Sequence, residues 1–67
     1  MKVREVIRDL EAHGWRLQRQ RGSHRTYRHP DHPDRRVVIA GNEGTDVPIG
    51  TLAAIYHQAG IDPPGRR

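Results

Sequence analysis

The sequence predicts an α+β domain, a two-layer αβββα sandwich in which a three-stranded antiparallel sheet carries two helices on one face. Three observations predict it. Apolar residues recur at helical spacing near both ends of the chain, the middle alternates with a period of two, and turn residues divide that middle into three segments. Two apolar helix stripes need a sheet face to bury them. The opposite face of the sheet is then left bare, because no chain remains to cover it.

Val3, Val6, Ile7 and Leu10 form one stripe of an amphipathic helix, with Arg4, Glu5, Arg8, Asp9 and Glu11 on the other positions. Gly14 stands where a left-handed cap ends a helix, which places the first helix at about 2–13. His13, in its last turn, faces the helix dipole or solvent. From Trp15 the period changes. Trp15, Leu17 and Arg19 alternate with Arg16, Gln18 and Gln20, a strand whose first half is buried. Gly22-Ser23 is a turn, and residues 24–29 are a second strand that pairs with the first as a hairpin. Its alternation puts Arg25, Tyr27 and His29 on one face and His24, Thr26 and Arg28 on the other.

Residues 30–34 read as a second turn, since Pro30 and Pro33 remove amide donors from any ladder. Residues 36–40 form a third strand, whose unbroken apolar run points to the most protected place in the sheet. Residues 41–45 are a loop, Asp46 or a close neighbour is the candidate cap of the next helix, and Pro48 lies in its first turn. Ile49, Leu52, Ile55, Tyr56 and Ala59 share the buried face of that helix. Gly60 ends it, with Ile61 folding back. Residues 1–62 make a single domain, and 63–67 are read as a frayed tail.

A chain of 67 residues excludes a two-domain enzyme with a deep cleft. A domain of this size buries only ~60% of the surface its unfolded chain exposes. It has no cysteine, so neither a disulfide framework nor a thiolate zinc site supports it. No apolar run reaches membrane length and no signal peptide is legible, so a cytoplasmic protein is expected. The net charge is +4, and eleven of the twelve cations are arginine. Seven arginines (16, 19, 21, 25, 28, 35 and 36) fall in the middle of the chain with only Asp31 and Asp34 among them. A basic segment on an otherwise near-neutral scaffold is the footprint of a protein that meets phosphates, which arginine's planar fork suits.

No phosphate-binding loop, nucleophile elbow or zinc pattern is present. His29 and His32 form H-x-x-H, but inside a proline turn without a third regularly spaced ligand, so no metal is expected. His24 is the candidate catalytic residue. It stands where a turn delivers the chain into a strand, flanked by Arg21 and Arg25, and neutral imidazole is the general base suited to pH near 7. RNA offers a reaction such a site can run without a cofactor. The 2′-hydroxyl attacks the adjacent phosphate once deprotonated, and arginines neutralise the oxyanion. The acid for the leaving oxygen stays open among Tyr27, Arg28, Ser23 and water. Tyr27 is also a candidate platform for a base, whereas Trp15 reads as a core anchor.

The stretches KVREVIRDLEAHGW, RQRGSHRTYRHPD, RRVVIAG and GTLAAIYHQAGI resemble the HicA (YcfA-like) toxin family of toxin–antitoxin systems, over residues 2–61. The resemblance implies a fold like that of double-stranded-RNA-binding domains and a metal-independent mRNA interferase that arrests translation. It implies that His24, in G-S-H, is catalytic, and that a HicB-like antitoxin binds the toxin and blocks that histidine. Arg21, Gly22, Ser23, Arg25, Tyr27 and Arg28 are the expected RNA contacts. No cofactor, membrane or DNA contact is expected. Many members carry P-x-H after the third strand, where this chain has Ala40-Gly41-Asn42. Two other readings compete: a non-catalytic RNA-binding module, and an interaction protein whose arginines meet an acidic antitoxin surface.

Overall fold

The N-terminal stripe becomes α1 (Val3–Ala12), which buries Val3, Val6 and Leu10. The structure, a computed structural model, describes residues 1–62; the tail expected at 63–67 lies outside the described residues. After α1 come β1 (Arg16–Arg21), β2 (His24–His29), β3 (His32–Ile39) and α2 (Ile49–Ala59). The strands form one antiparallel sheet in the order β1-β2-β3. Trp15, Tyr27, Val37 and Ile39 meet Val3, Val6 and Leu10 of α1, Ile55, Tyr56 and Ala59 of α2, and Val47, in one core. This is the expected αβββα sandwich.

A helix leaves its first amides without intrahelical acceptors. Here the loop after β3 supplies them: Val3 N–H donates to Thr45 O at 2.9 Å and Arg4 N–H to Glu43 O at 3.0 Å. The Glu5 carboxylate accepts the Lys2 amide at 2.7 Å. Asp46 does not cap α2 as expected. It bridges to Lys2 instead, with an ion pair of 3.4 Å, and the cap position of α2 is Pro48. The far end of α2 closes as expected on Gly60 in the left-handed region, with Ile61 N–H donating to Tyr56 O at 3.2 Å.

Beyond α1, Gly14 has φ +93° and Trp15 N–H returns to Leu10 O at 3.0 Å, which sends the indole straight into the core. A Cβ on Gly14 would lie 2.6 Å from His29 Nε2. That ring is held at both nitrogens: Nε2 pairs with His13 O at 2.8 Å, and Asp31 N–H donates to Nδ1 at 3.0 Å. A carbonyl accepts and an amide donates, so the imidazole is the neutral tautomer with its proton on Nε2. Gly14→Ala therefore meets a forbidden φ and a ring that cannot retreat. The expected cost is about 2 kcal/mol, or about 8–16 °C in thermal melting, read by circular dichroism.

Two expectations about the strands are corrected. The third strand is not the protected one; β2 is central and β3 is an edge, since each strand in a meander pairs with its chain neighbours. The second turn is also shorter than residues 30–34. β3 already begins at His32, opposite His29. Pro33 is tolerated there because an edge strand can dispense with an amide donor. A register shift follows, between the His29↔His32 and Tyr27↔Val37 pairs. Ile49 is a third correction: expected in the core, it is 86% exposed. Ile49 lies outside the buried cluster, which α2 joins at Ile55, Tyr56 and Ala59, with Leu52 packed against it.

Candidate active site

The bare face of the sheet carries a shallow trough in two parts. One is lined by Arg19, Arg21, His24, Thr26 and Val38, the other by Gln18, Arg19, Thr26, Arg28 and Arg36. Shared Arg19 and Thr26 make the two continuous. Four arginines and an imidazole line it, and among the described residues no carboxylate does.

How the chain puts them there depends on one irregularity. Strict alternation from Trp15 would send Arg19 and Arg21 to the helix side with Leu17. Leu17 pairs with Tyr27, but the next pair is Arg19↔Thr26, so Gln18 is an extra residue, a β-bulge. Beyond it the parity of β1 inverts. Arg19 and Arg21 then face outward beside Thr26 and His24, their cross-strand partners. The hairpin turns on Gly22 (φ +55°), whose surroundings are open, so the backbone at Gly22-Ser23 is accessible. His24 opens β2 as an exposed residue, and no hydrogen bond holds its side chain.

The seven central arginines have different occupations. Arg25 is 9% exposed and lies on the helix side, where its guanidinium donates to Gly41 O at 2.9 Å and more weakly to Ser23 O at 3.5 Å. It staples the hairpin turn to the loop after β3. Arg28 donates from Nε to Gln18 Oε1 at 3.2 Å and from Nη1 to Arg35 O at 3.3 Å. It thus ties the bulge in β1 to the irregular stretch of β3. Arg16 Nη1 reaches Trp15 O at 3.1 Å and Glu11 O at 3.3 Å, at the C-terminal end of α1. Arg19, Arg21, Arg35 and Arg36 make no side-chain hydrogen bond or ion pair in the described residues and remain available to a ligand.

Two expected RNA contacts are corrected by this geometry. Tyr27 is 2% exposed and packs between sheet and helices, so it offers no platform to a base and no acid to a leaving group. Arg25 is buried with its donors engaged. Both sit on the covered face because β2 alternates without interruption from His24. Arg28 lines the trough but is half-buried and occupied by protein acceptors. Arg19, Arg36, Gln18 and Val38 were absent from the expected contacts. The parity of β3 was readable from Val37 and Ile39, which would have found Arg36 and Val38; the bulge that turns Arg19 outward leaves no sequence signal.

Burial pushes the Tyr27 phenol above its ordinary pKa, with the negative charges of Glu11 and Glu43 adding to the rise and Arg25 opposing it. A raised folded-state value means that the unfolded chain ionises first. Stability from this group is complete below the unfolded value of about 10 and declines as pH rises through the higher folded one. In urea titrations from neutral to strongly alkaline pH, Tyr27→Phe should lose stability less steeply than the wild type above that value.

Among the described residues no set of three or more His, Cys, Asp or Glu side chains is placed to hold a metal ion. No helix among them is long and apolar enough to cross a membrane.

Fold and face together define a small α+β domain with an arginine-lined open sheet. Its residues 3–61 match the family model of the HicA toxin of bacterial toxin-antitoxin systems. The chain belongs to the HicA toxin family, and it is a toxin whose system pairs it with an antitoxin. None of the curated proteins compared with it matches.

Proposed function

We propose that this toxin is an endoribonuclease, an mRNA interferase that arrests translation, with His24 as general base. The observation that carries the reading is the trough: an exposed imidazole beside Arg19 and Arg21, with no carboxylate among the described residues that line it. A polyanion is drawn to that arginine-lined trough.

RNA brings its own nucleophile. His24 takes the proton of a ribose 2′-hydroxyl, the 2′-oxygen bonds to the adjacent phosphorus, and the bond to the 5′-oxygen breaks. The products are a 2′,3′-cyclic phosphate and a 5′-hydroxyl, whose proton comes from water on this open surface. Arg19 and Arg21 neutralise the charge that builds on the phosphorane oxygens. Gly22-Ser23 lets the backbone approach closely. Because the nucleophile belongs to the substrate, no metal-bound hydroxide is called for. A HicB-like antitoxin acts by covering the trough, and the cytoplasm supplies both partners.

The test is incubation of purified protein with an mRNA transcript, with and without a chelator. Expected are fragments ending in 2′,3′-cyclic phosphate, unchanged by chelation. Salt-sensitive binding without fragments would instead favour a non-catalytic RNA-binding module, and fragments that vanish with chelator would assign the chemistry to a metal.

A further inference from the structure

We propose that RNA bound in the trough continues over the β3 edge into a second phosphate-binding groove beside α2. This groove is lined by Asp34, Arg35, Arg36, His57 and Gln58. The inference rests on the trough being an RNA site, and extends it to a surface on the other side of an edge strand.

Arg36 is the link, because it lines both the trough and this groove. Arg35 lines only the groove and Arg36 lines groove and trough, so the pair carries guanidiniums to both sides of one edge. Such a pair suits a backbone that bends around the edge. The Arg35 Nη1 would lie 3.2 Å from a Cβ on Gly60, so this side chain leans over the end of α2 toward His57. His57 stands in the last turn of α2 and lines the same groove. Neither Arg35 nor Arg36 is held in an ion pair within the described residues, although Asp34 is adjacent. Two guanidiniums outweigh that one carboxylate, and the imidazole adds a hydrogen-bonding group.

The β3 edge also favours a nucleic acid over a protein strand. A protein strand would seek ladder bonds, but Pro33 lacks a donor and the Arg35 carbonyl already accepts from Arg28. Phosphates ask only for the side chains.

The experiment uses 2′-O-methylated RNA, which cannot cyclise, in two lengths: an oligonucleotide just filling the trough and a longer one. The double variant Arg35→Gln/His57→Gln should bind the longer RNA several-fold more weakly than wild type, and the shorter one equally. Its salt slope with the longer RNA should flatten by about 0.7 for each single-strand phosphate that the variant no longer neutralises. Arg36→Gln, shared by both parts, should weaken both lengths. Wild-type affinity of the double variant for the longer RNA would overturn the groove, as would an equal loss at both lengths. Failure of the wild-type protein to bind either RNA would overturn the trough as an RNA site, and the groove with it.

Discussion

His24→Ala is expected to reduce RNA cleavage by about 10²–10⁴-fold, the usual contribution of a positioned general base, and to abolish growth arrest on expression. The substitution should leave the fold alone. His24 is exposed at the first position of β2, with no side-chain hydrogen bond or ion pair in the described residues. Thermal melting of the variant should therefore coincide with that of wild type, and RNA binding should survive, since the arginines of the trough are untouched. This combination separates loss of chemistry from loss of structure. Full cleavage by His24→Ala would remove the imidazole from the mechanism. Arg21→Gln provides the complementary measurement: it should weaken cleavage and flatten the salt dependence of binding together, because it removes a cation and not a base.

Trp15→Ala should be the most damaging change to the fold. The indole is 1% exposed and is the largest fully buried side chain. The His29 ring meets it edge-on at 5.3 Å and the His32 ring stacks on it at 6.2 Å. Truncating a buried aromatic costs about 3–5 kcal/mol. A domain of this length has only about 3–10 kcal/mol in total, so the variant should be largely unfolded, or should melt far below wild type, by far-ultraviolet circular dichroism. Trp15→Phe keeps most of the apolar area and should retain a cooperative transition. A Trp15→Ala protein that melts like wild type would show that the indole does not anchor the core.

Most of the scaffold was legible because it follows from local rules. The stripe of Val3, Val6 and Leu10, the glycine after α1, the turn at Gly22-Ser23 and the Gly60 cap each depend on a few adjacent residues. The position of His24 at the bend, opposite in parity to Tyr27, was legible for the same reason, but which face of β2 the helices cover was not: Tyr27 was expected as a base platform and is buried instead. The errors lie where a neighbour in space intervened. Pro33 looked like part of a turn, yet an edge strand accommodates it. Ile49 fits the apolar stripe of its helix, yet its side chain is left outside the core that Leu52 and Ile55 reach.

The arginines show the division most clearly. The sequence by itself determined the order αβββα, the basic character of the middle segment and the imidazole at the bend. Tertiary structure alone decided which cations are free to meet a ligand. The bulge at Gln18 turns Arg19 and Arg21 outward, while Gly41 O takes Arg25 and the Gln18 side chain and β3 carbonyls take Arg28. The physical reason is one of range. The pleat of a strand repeats from residue to residue, but a bulge and the acceptor of a guanidinium are set by which strand lies alongside.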